Sequence, residues 1–299
     1  MSSLTKQRLL VLSLSFATVG VASAEGDCWN YETESYEPAI EDRYDGEWLN
    51  GLRHGYGVSI CPNGDRYEGE WRNNEEHGRG TATWGAGRWK GDRYDGDWVE
   101  GERTGKGIYY WASGTRYEGE FKAGRAHGKG SKTFGPGEWE GQRYVGHYLN
   151  GEAHGKGIFY WPSGNRYEGD WVEGDRTGKG TFYWAYGKFR GDRYEGDFVK
   201  GDRTGKGIYY WANGSSYEGD FVRGKIRGIG IHYLFDGSRY EGQWGKGGRR
   251  GGGIEYTING KAYIQEWKGD SRRVSSVAAA ASASAGGLAT SEPMSKPLP

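Results

Sequence analysis

The sequence predicts an all-β protein, a tandem array of two-stranded antiparallel units, and three observations carry that prediction. The word Tyr, any residue, Gly, any residue, aromatic occurs nine times, from Tyr44-Gly46-Trp48 to Tyr240-Gly242-Trp244. Successive tyrosines are 23, 27, 23, 27, 23, 27, 23 and 23 residues apart, a period of the size that marks a repeat array. Behind each word, glycines recur at plus seven, plus eleven and plus thirteen from the tyrosine, as in Gly101, Gly105 and Gly107.

Each element follows from local alternation. Within a word the tyrosine, the glycine and the last aromatic alternate with charged residues, the period of two of a half-buried strand. The second half alternates in the same way: Gly107, Tyr109 and Trp111 fall on one face, Ile108 and Tyr110 on the other. At plus seven the one exception to glycine is Asn74, a residue that also tolerates the left-handed region. Short connections such as Ala112-Ser113-Gly114 follow the second strand and are of hairpin type.

Glycine inside a strand weakens it and needs a reason. The expectation is space: a glycine beside a large ring lets the ring lie flat over neighbouring backbone, so that rings of adjacent repeats stack. Collagen is excluded, because the 57 glycines show no three-residue period and there are only seven prolines. At 34% hydrophobic and 27% charged, 299 residues are poor material for one compact core. A repeat array needs only to pack on its neighbours. Eighteen strands would make a sheet about 85 Å long if straight, and twist will bend it.

The pattern Tyr167-Glu168-Gly169-Asp170-Trp171, with glycines at plus seven, eleven and thirteen, resembles the MORN repeat (membrane occupation and recognition nexus). The resemblance runs from Tyr44 to about Gly253, with a worn tenth copy at Tyr263-Gln265-Trp267 that has lost its glycine. The 27-residue spacing departs from the usual unit. What the resemblance implies is an elongated, twisted single antiparallel sheet of stacked hairpins. It also implies a binding role towards proteins or acidic phospholipids rather than catalysis.

Four segments are expected. Residues 1–24 read as a cleaved signal peptide: Lys6 and Arg8 precede the apolar run Leu9 to Ala22, which ends in Ala22-Ser23-Ala24. The run is short for a membrane span. Removing residues 1–24 leaves 38 basic and 40 acidic residues. Residues 25–43 form an N-terminal cap, 44–269 the array, and 270–299, rich in Ala, Ser and Pro, a disordered tail. Export favours a disulfide between the two cysteines, Cys28 in the cap and Cys61 in the first repeat, where other repeats carry an apolar residue. Such a bridge would staple the cap over the open first hairpin. Two free thiols are the alternative.

Charge bears on the ligand. An Arg precedes the tyrosine in eight of nine copies, with Ser216 the gap, and an acid follows it in eight, with Val145 the gap. Both fall on the face opposite the tyrosine. That ladder reads as a self-compensated solvated face, unlike the uncompensated basic surface of a headgroup binder or the basic stripe of a nucleic-acid binder. His54, His77, His127 and His154 all stand at plus ten, where other repeats carry Thr or Arg, so they read as a turn position rather than ligands or bases. The glycine strings lack the helix and the Lys-Ser/Thr ending of a phosphate loop. No catalytic residue, metal or cofactor is expected.

The four extra residues of the long copies fall in Gly85–Gly91, Gly135–Gly141 and Ala185–Gly191, each adding an aromatic: Trp89, Trp139 and Phe189. If two residues joined each arm, the hairpin would lengthen without exchanging its faces. These rings are either a partner-binding row, about 19 Å apart, or rings closed over their own glycines. The functional expectation is an exported, non-catalytic scaffold with a protein partner, secreted or periplasmic. Phospholipid headgroups or a membrane surface, and an envelope glycan held by the edge aromatics, are the alternatives; no nucleic acid is expected.

Overall fold

The structure, a computed structural model, describes residues 28–30, 35–37, 43–246, 248–269 and 271–276. Twenty strands, from Arg43–Leu49 to Ser271–Ser276, form one antiparallel sheet in which each strand pairs with those before and after it in sequence. The sheet is open: no ladder joins its first and last strands among the described residues. A separate ribbon of Cys28–Asn30 and Ser35–Glu37 precedes it. The signal-peptide segment and residues 277–299 lie outside the described residues, as do the side chains of the cap.

Each repeat is a seven-residue strand and a nine-residue strand, for example Arg193–Val199 and Asp202–Tyr210. Two left-handed residues join them, Lys200 at φ 47° and Gly201 at φ 81°, the combination of a type I′ hairpin turn that matches strand twist. Asn74 adopts φ 70° at the same place, as its chemistry allows. Past the turn the ladder slips. Gly196 pairs with Gly207 but Phe198 with Arg203, so Asp197 alone faces three residues across a bulge. The two extra residues keep the parity of the faces, which is why alternation is readable on both sides of it. The plus-ten histidines sit in this bulge, inside the second strand, and not in the turn.

The core is a single layer of rings. Each tyrosine lies over two glycines, its own at plus two and the cross-strand one at plus thirteen. A Cβ at Gly107 would come within 2.5 Å of the Tyr94 ring. The glycines therefore give the rings the space expected of them, but neighbouring rings meet edge to face. Trp171 stands between Tyr144 at 5.0 Å and its own Tyr167 at 5.4 Å, both near 81°. The same pattern links Tyr44 to Trp244 without a break, every plus-four ring from Trp71 onward bridging two repeats. Edge-to-face geometry suits the ring quadrupoles. Trp171 also donates its indole N–H to the Gly157 carbonyl of the preceding repeat at 3.1 Å.

A second tie joins repeats through the residue two before each tyrosine. Asp92 accepts from the Tyr109 hydroxyl at 2.6 Å and from the Ala112 N–H at 2.8 Å, and Asp192 does the same with Tyr209 and Ala212. Asp65, Asn165 and Ser215 make the backbone half of this tie, each 20 residues along the chain. Gln142 takes the same place in the middle of the array, but Phe159 lacks the hydroxyl and Pro162 lacks the N–H. Its buried Oε1 has no partner among the described residues.

Both ends depart from the repeat. At the start, Trp48 is 57% exposed, and among the described residues no earlier tyrosine covers it. At the end, Gln265 replaces the glycine and is fully buried, accepting from Trp267 Nε1 at 3.0 Å and donating to Glu255, itself 3.3 Å from Arg249. A polar cluster thus replaces the ring-over-glycine pair, as expected of a capping repeat. The tenth hairpin needs a return strand, so the sheet continues through Ser271–Ser276 instead of ending at residue 269.

Candidate functional site

The face opposite the tyrosines carries the charges. In several repeats the Arg and acid flanking the tyrosine pair along the strand, as in Arg66–Glu68 at 2.6 Å, Arg116–Glu118 at 2.8 Å and Arg193–Glu195 at 3.0 Å. A second row runs through the bulges. Asp197 Oδ2 accepts from the Lys206 N–H at 3.0 Å, clamping its own bulge, while its Oδ1 meets Lys179 of the preceding repeat at 2.7 Å. Lys156–Asp170 and Lys206–Asp220 repeat the motif at 2.6 and 2.7 Å. The lysine bonded to each holds Asp170, Asp197 and Asp220 below the ordinary carboxyl range. These pairs are half-exposed and contribute little stability individually.

Between the two rows lies a groove of 1080 Å³ running across the strands. Its floor is glycine backbone, Gly130, Gly146, Gly157, Gly169, Gly180 and Gly196, because the tyrosine rings occupy the other side of those residues. One wall carries Glu118, Val145, Ile158, Glu168 and Thr181, the other Lys129, His147, Lys156 and Lys179. A further hollow of 570 Å³ shares Lys179, Glu195 and Gly196 and continues the groove towards Ile231. The glycines therefore do two things: they seat the rings on one face and leave an unobstructed channel on the other.

The long connections do not lengthen the hairpin arms. The strands on either side keep nine and seven residues, and the four extra residues fold into a compact turn, a short 3-10 segment at Gly87–Trp89 and Gly187–Phe189. Backbone bonds such as Gly91 N–H to the Trp84 carbonyl at 2.7 Å and Asp92 N–H to that of Trp89 at 2.8 Å close the turn on itself. Trp139 lies 6.2 Å from Phe134 and Phe189 lies 6.3 Å from Trp184, while the Arg88 guanidinium covers Trp89 at 4.1 Å. All three rings are half-buried. Trp139 and Phe189 thus meet a ring of their own repeat.

Sequence reasoning missed the cations set among the rings. Arg103 and Arg203, at plus nine, lie within 6 Å of three rings each: Trp84, Tyr94 and Tyr109, or Trp184, Tyr194 and Tyr209. Each donates to the Gly124 or Gly224 carbonyl of the next turn. The signal was present, since plus nine falls on the tyrosine face by parity. Lys132 occupies an aromatic position, 5.0 Å from the Trp111 ring and 5.1 Å from Phe134, and burial pushes its pKa down to about 8. It forms no ion pair among the described residues. Because the folded pKa lies below the unfolded value of about 10.4, the unfolded chain holds the proton longer, so this group makes stability rise between about pH 8 and 10. Lys132→Phe is expected to stabilise the protein by roughly 2 kcal/mol at pH 7 and less at pH 10. Urea melts of both proteins at the two pH values check this; comparing them cancels the opposing titration of the buried tyrosines.

The family model of the MORN repeat matches residues 44–66, 67–92, 94–116, 117–139, 144–166, 167–188, 194–216 and 217–239, more than half of the chain. The chain is a MORN-repeat protein. The ninth and tenth MORN hairpins lie beyond the matched residues yet fold in the same sheet. No curated protein sequence matches the chain. Among solved structures, it is similar to the TCP10 domain of Danio rerio CPAP in complex with a peptide of Danio rerio STIL, at 12% identity and a TM-score of 0.30 over 75% of this chain and 94% of that one. It is also similar to the SAS-4 (dCPAP) TCP domain of Drosophila melanogaster in complex with a proline-rich motif of Ana2, at 14% identity and a TM-score of 0.31 over 68% and 90%. Likenesses of that size do not extend to function. Membership of the MORN family suggests a binding or scaffold role.

Proposed function

We propose that this MORN-repeat protein is an exported, non-catalytic scaffold that engages a protein partner in the periplasm or outside the cell. The observation that carries the reading is the continuous glycine-floored groove between two charged walls. It is long and open enough for a polypeptide, and most of its ion pairs are balanced within the array. An anionic membrane surface would favour an uncompensated basic face instead. Lys6, Arg8, the apolar run and Ala22-Ser23-Ala24 support export. A bridge from Cys61 to Cys28 fits that compartment, where a chain with two cysteines favours one disulfide.

Two measurements test the proposal. The mature protein from its native host should begin at Glu25 by intact mass and take up no alkylating reagent before reduction; a retained leader or two reactive thiols overturns export or the bridge. Affinity capture from the native compartment should then be compared between the wild type and Ile158→Arg/Thr181→Arg, which fills the groove. A protein retained by the wild type and lost by the variant supports the reading. Equal retention sinks the groove as the site, and binding to anionic vesicles at moderate salt without protein capture replaces it with the lipid reading.

A further inference from the structure

Both ionic rows lose their acid in the same repeat. In the hairpin of Arg143–Leu149 and Glu152–Tyr160, Val145 stands where the other repeats place the acid after the tyrosine, and His147 where they place an acid or, at Gln243, an amide. The consequences appear on both walls of the groove. Arg143, which in the equivalent pairs would meet an acid two residues on, instead donates from Nε to Ser131 Oγ at 3.1 Å. Lys129 pairs across the ladder with His147, whereas Lys156, Lys179 and Lys206 each find an aspartate in the same place. His147 turns Nδ1 to the Lys156 carbonyl at 3.3 Å, a contact in which the ring nitrogen must donate. Lys129 and Arg143 form no ion pair among the described residues. Two acids have thus left the ladder at one point, and two cations remain without countercharge on either side of Val145.

This point is also part of the groove. Val145, His147, Lys129 and Ser131 line it, and Ser131 is smaller than the Ile158 or Ile208 of other repeats, which widens it there. Resting on the scaffold reading, we propose that this notch is the anchor point for an extended acidic segment of the partner protein. Its carboxylates meet Lys129 and Arg143, and an apolar side chain lies on Val145 and Ile158. The dimensions fit: adjacent repeats are about 9.6 Å apart, roughly three residues of extended chain. A segment along the glycine floor therefore meets one repeat every three residues. At the flanking repeats an acid stands at both of these positions, so the unmatched positive charge that fixes register is confined to the notch.

The test uses a fluorescein-labelled octapeptide of alternating Glu and Val, the same peptide with Gln for Glu, and phosphatidylserine vesicles. Val145→Glu/His147→Asp rewrites the notch in residues that other repeats use, and a melt comparable to wild type establishes that it folds. The Glu peptide should bind wild type, weaken with added salt, and lose at least about tenfold in affinity on the double variant, with Lys129→Gln losing part of that. The Gln peptide should bind weakly to both. The notch is overturned if the Gln peptide binds as well as the Glu peptide, if the double variant binds unchanged, if no Glu-peptide binding is measurable, or if vesicles bind at the notch and the peptide does not. A partner captured equally by wild type and Val145→Glu/His147→Asp, yet lost by Ile158→Arg/Thr181→Arg, removes the notch and leaves the scaffold reading standing.

Discussion

Gly180→Ala is expected to lower the stability of the array by roughly 3 kcal/mol, although it adds one methyl group to a surface sheet. A Cβ there would stand 2.5 Å from Tyr167 Cε2 and 2.6 Å from Cζ. The ring cannot step aside, because Tyr167 is fully buried between Trp171 at 5.4 Å and Phe198 at 4.9 Å. Two other glycines separate space from backbone conformation. Gly187 has nothing within 4 Å of a Cβ but adopts φ +74°, so Gly187→Ala should cost about 1 kcal/mol. Gly252 has open space and no positive φ, and Gly252→Ala should fall within about 0.5 kcal/mol of wild type. Urea melts of the three variants give the order directly; similar losses at Gly180 and Gly187 would contradict the ring-over-glycine account.

Trp171→Ala should cost roughly 3–5 kcal/mol and change how the protein unfolds. Trp171 is 1% exposed and holds two repeats together through Tyr144, Tyr167 and the Gly157 carbonyl. In a linear array each repeat contacts only its neighbours, so a damaged junction has no other layer to compensate it. The two halves should then melt separately, seen as two transitions in a denaturant titration or as early hydrogen exchange confined to strands next to Trp171. Trp171→Phe should be far milder, about 1 kcal/mol, because Phe198 and Phe221 fill the same position elsewhere and make the same edge contacts. One unaltered cooperative transition in Trp171→Ala would argue against the ring spine as the main coupling between repeats.

Lys132, Gln142 and the pair Val145 and His147 all fall in the middle of the array, where the repeat is least regular. The Val145 gap is visible in a register alignment of the sequence. Its meaning is not, because the Lys129 that loses a partner belongs to the preceding repeat and is placed opposite His147 only by the ladder. The tie made by Asp92 and Asp192 was equally hidden, since its two ends are 20 residues apart and neither is part of the repeated word. The long connections were legible as insertions but not as compact turns. Two residues added to each arm and a closed four-residue turn preserve the same faces, and parity cannot tell them apart.

By itself the sequence determined the repeat, its two strands, the face of every residue and the glycine seats. All of these depend on a period of two and on neighbours within one hairpin. Only the tertiary structure decided how one hairpin lies against the next: the edge-to-face spine, the arginines set among the rings, the polar cluster at Gln265 that ends the sheet, and the groove behind the glycines. The reason is physical. A strand writes its own alternation into sequence, but contacts between repeats depend on how far each bulge slips the ladder and where long side chains lean. A groove is the space those choices leave empty.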